Sequence, residues 1–154
     1  MAEDTIKECV IFDIDGTLAN CDHRRKYVDG TLVKDWEAFR RYMSADPVHE
    51  HVRRLYRMYL MNDWTILICT GRLEADRDMT TTWLMKAGIS GYVQLMMRPD
   101  AERFRPDWEV KQDMLHQILD EGYTPVCSFD DRNRVVQMWR DNGVPCFQVN
   151  DGNF

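Results

Sequence analysis

Acidic, hydroxyl and arginine side chains follow three of the apolar segments of this sequence at short spacing. Asp13-Ile14-Asp15-Gly16-Thr17 follows the first segment, Thr70-Gly71-Arg72 the second, and Asp130-Asp131-Arg132 the fourth. Four carboxylates brought together repel one another and take up protons unless a hard cation neutralises them. Because oxygen ligands from few residues suit Mg²⁺, the pattern predicts a magnesium site.

Strand and helix patterns alternate along the chain and would position these side chains. The five predicted strands are residues 9–12, 64–69, 92–96, 126–129 and 146–149. Most are apolar runs without polar alternation, which is typical of strands covered on both faces. We therefore predict a single α/β domain over residues 1–154, with a doubly wound, Rossmann-like, mostly parallel five-stranded sheet. Helices would cover both faces, and no large cap domain is expected.

Helices are predicted between the strands. Asp46 and Pro47 supply a cap and a first-turn proline for one of them. Three later helices are predicted to end at or near Gly88, Gly122 and Gly143, because glycine permits the backbone conformation that closes a helix. The apolar side chains that we expect to be buried are Val48, Val52, Leu55, Tyr56 and Tyr59 on the first helix, and Trp36, Phe39 and Tyr42 on a shorter helix over residues 35–43.

The position of the three motifs directly after strands has a functional meaning. Ligands of doubly wound sheets bind outside the carboxyl ends of the strands, so the motifs would meet at one edge.

A calcium loop is an alternative interpretation of Asp13 and Asp15. A loop of the EF-hand type needs Gly at its sixth position and Glu at its twelfth, where this chain has Leu18 and Arg24. The pattern therefore favours a functional site that is not an EF-hand.

Composition limits the class of protein. Hydrophobic residues make up 44% of the chain and charged residues 30%, and no apolar run approaches the roughly 20 residues that span a membrane. The first residues lack the basic start and apolar stretch of a secretory signal, so we expect a cytoplasmic protein with no membrane partner. The five cysteines include no C-x-x-C pair, which favours free, mostly buried thiols.

The charge of the chain is negative overall but uneven. The net charge of −6 has the wrong sign for a protein that grips long nucleic acid through its phosphates. Residues 21–57, however, hold nine Lys and Arg against six Asp and Glu, a local net charge of +3. A local anionic ligand is therefore compatible with the sequence.

Four motifs of this sequence resemble, in type and order, those of the haloacid dehalogenase-like phosphohydrolases. That family has an Asp-x-Asp-x-Thr loop, a Ser or Thr, a Lys and an acidic pair. The matching residues are Asp13-Ile14-Asp15-Gly16-Thr17, Thr70, Lys111 and Asp130-Asp131. More narrowly, the chain is similar to the 3′-phosphatase domain of the bacteriophage polynucleotide kinase/phosphatase, through Arg24, Arg72, Asp107 and the terminal Gly152-Asn153-Phe154. It has no G-x-x-x-x-G-K-[ST] loop, so we expect no kinase domain in this chain.

The resemblance implies an Mg²⁺-dependent phosphatase that forms an aspartyl-phosphate on Asp13. Asp15 would act as general acid and then as general base. Thr70 would donate a hydrogen bond to the phosphoryl group, and Lys111 would supply positive charge to that group and to Asp13. The implied metal ligands are Asp13, Asp15 through its backbone carbonyl, Asp130 and Asp131. The residues implied to bind substrate are Thr17, Arg24, Gly71, Arg72 and Asp107, the last by orienting Lys111.

The resemblance implies a 3′-phosphate at a nucleic acid end as the substrate, and a free nucleoside monophosphate is the alternative. The short segment after the first strand predicts an open site, which suits a polymer end. A phosphoacceptor receiver domain also uses an Asp cluster, a hydroxyl and a Lys, but it places its acidic pair after the first strand. A catalytically silent nucleic-acid-binding module is a third class, weakened by the acidic charge and by the lack of an aromatic-basic motif.

Overall fold

The computed structural model describes residues 5–30 and 33–153, and a five-stranded sheet forms the centre of this part of the chain. The strands are β1 (Lys7–Phe12), β2 (Thr65–Leu73), β3 (Gln94–Arg98), β4 (Tyr123–Asp130) and β5 (Cys146–Gln148). Their order is β3-β2-β1-β4-β5, and every pairing is parallel. The predicted doubly wound sheet is confirmed.

Helices cover both faces of the sheet, as predicted. The α-helices of the described residues are α1 (Asp22–Arg25), α2 (Trp36–Arg41), α3 (Glu50–Met61), α4 (Arg77–Lys86), α5 (Asp107–Asp120) and α6 (Asn133–Asp141). One buried cluster packs α3 and α4 on one face, and a second packs α5 and α6 on the other. Val10 and Phe12 belong to the first cluster and Cys9 and Ile11 to the second, which explains why β1 is an unbroken apolar run.

The carboxyl ends of the three central strands lie side by side. Phe12 of β1 is in register with Ile68 of β2 and with Phe129 of β4. The amide of Asp13 continues the ladder, since it donates to the carbonyl of Phe129 at 3.0 Å. The residues that follow these strands are therefore brought to one edge of the sheet.

The second sequence motif lies within a strand and not in the loop after it. β2 extends to Leu73, four residues beyond the predicted end, and contains Thr70, Gly71 and Arg72. Its pairing with β3 becomes irregular there, because Thr70 aligns with Met97 while Leu73 aligns with Arg98. The motif thus occupies a bulged strand end, a common device for directing side chains into a site.

Asp46 and Pro47 do not begin a helix, contrary to the prediction. α3 begins at Glu50, and its N-cap is His49. The backbone of Asp46 is extended, with ψ of 127°, and its carboxylate binds the guanidinium group of Arg24. A buried carboxylate needs a charged partner with several hydrogen bonds, and that requirement outweighs the local preference for a helix cap.

Three of the side chains that were predicted to be buried are exposed: Leu55 on α3, Trp36 on α2, and Tyr42 after α2. Phe39 is buried as predicted. For Trp36 and Tyr42 the reason is that α2 has only six residues and packs against the rest of the domain through the side that carries Phe39. Its other apolar side chains are left for the solvent or for a ligand.

The helix ends and the state of the cysteines agree with the predictions made from the sequence. Gly88, Gly122 and Gly143 follow α4, α5 and α6 with φ of 68°, 84° and 79°, the left-handed conformation that favours glycine. All five cysteines are free and buried. No helix among residues 5–30 and 33–153 is long and apolar enough to cross a membrane.

Candidate active site

Three buried carboxylates meet where β1 and β4 end. Asp13 follows β1 directly, while Asp130 is the last residue of β4 and Asp131 comes next. Each side chain offers an oxygen atom, and these atoms lie within 4.8 Å of one another. The structure therefore brings together the acids of the first and the last motif, which are separated by more than a hundred residues in sequence.

Lys111 on α5 neutralises part of this negative charge. Its Nζ donates hydrogen bonds to Asp13 Oδ1 at 2.9 Å and to Asp130 Oδ2 at 2.8 Å. Burial opposes the charge on the amine, but Asp13 and Asp130 outweigh burial and raise the pKa of Lys111 well above its usual value. Lys111 is therefore a fixed positive charge between the two strands.

The single positive charge of Lys111 does not balance the negative charge of three carboxylates. Burial, together with repulsion from Asp130, raises the pKa of Asp13 well above its ordinary value despite the contact with Lys111. Burial and Asp130 also raise the pKa of Asp131 to about 7. The positive charge of Lys111 is therefore too small to balance the three acids, and they resist full ionisation until a further cation is supplied.

The surroundings of Asp131 fit a divalent cation. Its Oδ1 atom is buried and has no hydrogen-bond partner among the described residues. A Cβ at Gly16 would lie 2.0 Å from Asp131 Oδ2, so the approach of this carboxylate requires glycine there. An all-oxygen donor set of few residues suits Mg²⁺. Asp13, Asp130 and Asp131 have the chemistry to hold that ion, and the contribution of the Asp15 carbonyl stays a prediction.

Asp15 lies outside this cluster and is held by two arginines. Its carboxylate accepts hydrogen bonds from Arg72 Nη2 at 2.7 Å and from Arg24 Nη2 at 2.5 Å. Burial opposes ionisation of Asp15, but the two guanidinium groups outweigh it and hold the pKa of Asp15 well below its usual range. Two acids that are neighbours in the first motif thus have opposite preferences for a proton. These preferences are the reverse of those that a nucleophile at Asp13 and a general acid at Asp15 require, so a bound cation and the substrate would have to change both.

Asp46 completes the arginine network, and sequence reasoning missed it. Its buried carboxylate accepts from Arg24 Nε at 2.8 Å and from Arg24 Nη2 at 2.5 Å. It also lies 3.4 Å from Arg72 Nη2 and 2.8 Å from His23 Nε2. Arg24 itself is buried, with its guanidinium 4.1 Å from the centroid of the Phe39 ring. Nothing in the sequence around Asp46 distinguishes this partner of two arginines from a helix cap.

The threonines and the glycine of the motifs lie against the acids. Thr17 Oγ1 donates to Asp13 Oδ2 at 3.2 Å. Thr70 is buried, and its hydroxyl oxygen accepts the amide hydrogen of Arg72 at 3.2 Å, so its own proton remains for a second bond. A Cβ at Gly71 would lie 2.3 Å from Asp107 Oδ1. Glycine at this position therefore permits the close approach of Asp107.

Asp107 lies among three cations at the N-terminus of α5. Its carboxylate is 3.9 Å from Lys111 Nζ, 3.3 Å from Arg132 Nη1 and 3.0 Å from Arg98 Nη2. Burial opposes its ionisation, but Lys111 and the two arginines outweigh burial and lower the pKa of Asp107. Arg98 was not predicted as a site residue, since a lone arginine at a strand end carries no motif.

A cavity of about 960 Å³ opens onto this edge of the sheet. The predicted site residues that line it are Asp13, Asp15, Arg24, Gly71, Arg72 and Asp107. Thr17, Thr70, Lys111 and the acidic pair are not part of its lining. Thr17 and Lys111 bind Asp13, and Thr70 binds Arg72, so these three contact lining residues. The acidic pair lies next to Asp13 in the carboxylate cluster. An acid with a raised pKa, Asp13, and an acid with a lowered pKa, Asp15, thus line one cavity together with arginines.

Hydrolases of the haloacid dehalogenase-like class are among the solved proteins that share this wholly parallel sheet. Solved structures with the same fold include the class C acid phosphatase from Bacillus anthracis with tungstate bound, with a TM-score of 0.69 and 11% identity. The likeness covers 97% of this chain and 69% of that one. At this identity it concerns the fold alone.

The family model for the polynucleotide kinase PNKP phosphatase domain matches residues 7–154. The chain belongs to this family, and it is a phosphatase domain. The resemblance inferred from its motifs is thereby confirmed.

Relatives of this chain are larger proteins. A putative bifunctional polynucleotide kinase/RNA ligase of Autographa californica nuclear polyhedrosis virus is 27% identical over 144 residues, which are 92% of this chain and 19% of that protein. A chain in the structure of the Pnkp1/Rnl/Hen1 RNA repair complex is 31% identical with a TM-score of 0.80, over 97% of this chain and 44% of that one. A chain in a second structure of the Pnkp1/Rnl/Hen1 complex is 30% identical with a TM-score of 0.81, over 99% of this chain and 48% of that one. This chain therefore spans less than half the length of these relatives.

Proposed function

We propose that this domain is a Mg²⁺-dependent phosphomonoesterase that forms an aspartyl-phosphate on Asp13 and acts on the 3′-phosphates of nucleic acid ends. The observation that carries the proposal is the contact of Asp13 with Lys111 inside a cluster of acids that needs a cation. Membership of a phosphatase family favours an enzyme over a phosphoacceptor receiver domain. So does the order of the motifs, since the acidic pair follows β4 and not β1.

The first chemical step uses both acids of the first motif. A carboxylate oxygen of Asp13 attacks phosphorus, the bond between phosphorus and the ester oxygen breaks, and the leaving alkoxide takes the proton of Asp15. In the second step Asp15 takes a proton from water. The water oxygen then attacks phosphorus, and the bond to Asp13 breaks with release of inorganic phosphate. The carboxylate of Asp13 and the proton on Asp15 are thereby restored.

Arg24 and Arg72 connect the substrate to the protonation of Asp15. Both guanidinium groups bind the carboxylate of Asp15 and keep its pKa low. Guanidinium groups also bind phosphate oxygens. A substrate phosphate that took over these contacts would release Asp15 to carry the proton for the leaving oxygen. Asp46 keeps both arginines in place during this exchange.

Asp13, Asp130 and Asp131 would hold Mg²⁺ in this mechanism. When bound, the ion neutralises negative charge so that an anionic nucleophile and an anionic substrate can approach one another. Lys111 supports the same neutralisation through its bonds to Asp13 and Asp130. Thr70 would direct its hydroxyl proton to a phosphoryl oxygen.

Binding of Mg²⁺ is expected to stabilise the fold as well as to permit turnover. The ion relieves repulsion among buried acids, and a ligand at one hundred times its Kd adds about 2.7 kcal/mol to the free energy of unfolding. We expect Tm in Mg²⁺ to exceed Tm in EDTA by several degrees. Asp130→Asn should abolish this difference, while Asp120→Asn, at the exposed end of α5, should retain it. An equal Tm in Mg²⁺ and EDTA for the native sequence would contradict the proposed site.

Two observations support a nucleic acid end as the substrate. The family is that of a polynucleotide kinase phosphatase domain, and the relatives include a putative bifunctional polynucleotide kinase/RNA ligase and a chain of an RNA repair complex. The cavity is also larger than a phosphate group requires, and it lies at the upper end of the range of about 300–1,000 Å³ that is usual for ligand sites. A phosphate on a long chain can enter such a site with part of the chain behind it.

Phosphate release from four substrates tests this assignment. They are a 3′-phosphorylated oligonucleotide, the same oligonucleotide with a 5′-phosphate, and the matching 3′- and 5′-mononucleotides. We expect the largest kcat/KM for the 3′-phosphorylated oligonucleotide. The nucleotidase alternative predicts a larger kcat/KM for a mononucleotide, and that result would replace the proposed substrate while leaving the role of Asp13 unchanged.

A further inference from the structure

Two aromatic side chains line the same cavity as Asp13 and lie open to solvent. Trp36 on α2 is 40% exposed, and Phe104, in the segment between β3 and α5, is 90% exposed. A single exposed aromatic residue on a protein surface is ordinary. Two of them in a cavity that Asp13 also lines indicate a specific occupant, and the neighbouring contacts indicate what kind of group would fit there.

Trp36 is connected to the acidic centre through a short series of ion pairs. Lys111 contacts Asp13, Asp107 lies 3.9 Å from Lys111, and Arg132 lies 3.3 Å from Asp107. The guanidinium of Arg132 in turn lies 5.9 Å from the centroid of the Trp36 ring. These contacts connect the indole ring, which lines the cavity, to the residues around Asp13.

Phe104 is presented to the cavity by an anchored loop. Arg98 donates hydrogen bonds to the carbonyl oxygens of Glu102 at 3.0 Å and Arg105 at 2.6 Å, which lie on either side of Phe104 in sequence. The same guanidinium binds the carbonyl oxygen of Gly71 at 3.0 Å and so ties the loop to the site. The exposure of Phe104 is thus built into the fold and is not a frayed end.

The surroundings of the two rings are cationic. Lys34 Nζ lies 5.6 Å from the centroid of Trp36, and the Arg103 guanidinium lies 5.7 Å from the centroid of Phe104. The cavity as a whole is lined by nine basic and six acidic side chains, a net charge of +3 in a chain whose net charge is −6. Flat apolar rings beside positive charges match a ligand that alternates flat rings with negative charges.

Single-stranded nucleic acid has that alternation, because its bases stack on aromatic side chains while Lys and Arg contact its phosphates. In a duplex the base faces are already stacked, so a paired end cannot use the same contacts. We propose that Trp36 and Phe104 form a base-stacking subsite for the nucleotides that precede the terminal phosphate. The subsite rests on the proposed function, and it makes the domain selective for unpaired 3′-ends that carry more than one nucleotide.

The subsite predicts that kcat/KM rises with the number of nucleotides. For the native sequence, a 3′-phosphorylated hexanucleotide should exceed the matching nucleoside 3′-monophosphate in kcat/KM. Phe104→Ala should lower this hexanucleotide-to-mononucleotide ratio by about tenfold, mainly through the KM of the hexanucleotide, since loss of a stacked base commonly costs that much. Trp36→Ala should act in the same direction, and Phe104→Tyr should preserve the ratio because it keeps the ring.

Three controls make the result specific. Phe104→Leu keeps an apolar side chain but loses the ring, so it should behave as Phe104→Ala. Met61→Ala removes another exposed apolar side chain, at the end of α3 and outside the cavity, and should leave the ratio unchanged. A hexanucleotide whose 3′-end is paired in a blunt duplex should lose the advantage over the mononucleotide. Circular dichroism of each variant would show that the fold is intact.

The proposal and the function on which it rests fail in different ways. If no 3′-phosphorylated substrate is hydrolysed by the native sequence, the proposed function is wrong. If the hexanucleotide is preferred and Phe104→Ala leaves the ratio as it was, the function stands and the stacking subsite is wrong. Equal kcat/KM for the hexanucleotide and the mononucleotide with the native sequence would also overturn the subsite.

Discussion

Replacement of Asp13 by Asn is expected to lower kcat by about 10⁴-fold or more while the protein stays folded. The amide cannot form the covalent bond to phosphorus on which the proposed reaction depends, and loss of a nucleophile is among the most costly changes to an enzyme. Burial and Asp130 already disfavour the ionised form of Asp13, because they raise its pKa. An uncharged isostere should therefore be tolerated, and we expect a Tm within about 4 °C of the native value.

Release of inorganic phosphate from a 3′-phosphorylated oligonucleotide and thermal unfolding are the two measurements for Asp13→Asn. Asp22→Asn is a suitable control, since Asp22 is an exposed acid on α1 whose ion pair with Arg25 has an N–O distance of 4.0 Å. It should retain kcat within about twofold, as expected for a surface residue outside the site. Steady-state turnover by Asp13→Asn near the native rate would remove Asp13 from its proposed role.

Replacement of Lys111 by Met is expected to damage both activity and stability. The amine is the described cation that bridges Asp13 and Asp130, with N–O distances of 2.9 Å and 2.8 Å. Loss of one positioned charge from a phosphoryl-transfer site typically costs about 10² to 10³-fold in kcat. Removing one partner of a buried ion pair typically lowers the free energy of unfolding by about 3–5 kcal/mol, because the remaining charges are left uncompensated.

Mg²⁺ should reduce the stability defect of Lys111→Met, because the proposed ion supplies charge to the same carboxylates. The measurements are kcat with a 3′-phosphorylated oligonucleotide and urea unfolding in Mg²⁺ and in EDTA. Lys86→Met, at the exposed end of α4, is the matched control and should change neither quantity appreciably. A Lys111→Met protein with native stability in EDTA would contradict the charge balance inferred for the cluster.

The fold was predictable because the central strands are buried on both faces. β1 places Val10 and Phe12 on one side and Cys9 and Ile11 on the other, so the strand appears in sequence as an apolar run. Parallel strands of this kind must be joined by helices, and the sheet edge then collects the residues that follow each strand. The acids of the first and last motifs could be assigned to one site for this reason.

The arginine network could not be predicted in the same way. Asp46 is 22 residues from Arg24 and 26 residues from Arg72 in sequence, and neither spacing carries a signal. The local sequence of Asp46 and Pro47 favours a helix cap, and only the folded chain shows that the carboxylate faces two buried guanidinium groups. The pairing of the buried Asp46 carboxylate with arginines distant in sequence outweighs its local preference to cap a helix.

Trp36 was wrongly predicted to be buried for a related reason, and no prediction was made for Phe104. Trp36 has the spacing of a core residue on a short amphipathic helix, and Phe104 lies in a polar segment without periodicity. Whether such rings are buried or exposed depends on how α2 and the loop after β3 pack, which sequence periodicity does not specify. The sequence contains no aromatic-basic motif. The aromatic and basic side chains of the cavity come instead from separate parts of the chain.

The central claim is the covalent bond between phosphorus and Asp13, and acid quenching tests it most directly. The native protein is mixed with Mg²⁺ and an oligonucleotide carrying a radioactive 3′-phosphate, stopped with acid within one turnover, and digested for peptide mapping. We expect the label on the peptide that contains Asp13, sensitive to hydroxylamine as an acyl phosphate should be, and absent from Asp13→Asn. Label on another residue, or full turnover without any protein-bound label under conditions that trap acyl phosphates, would contradict the account.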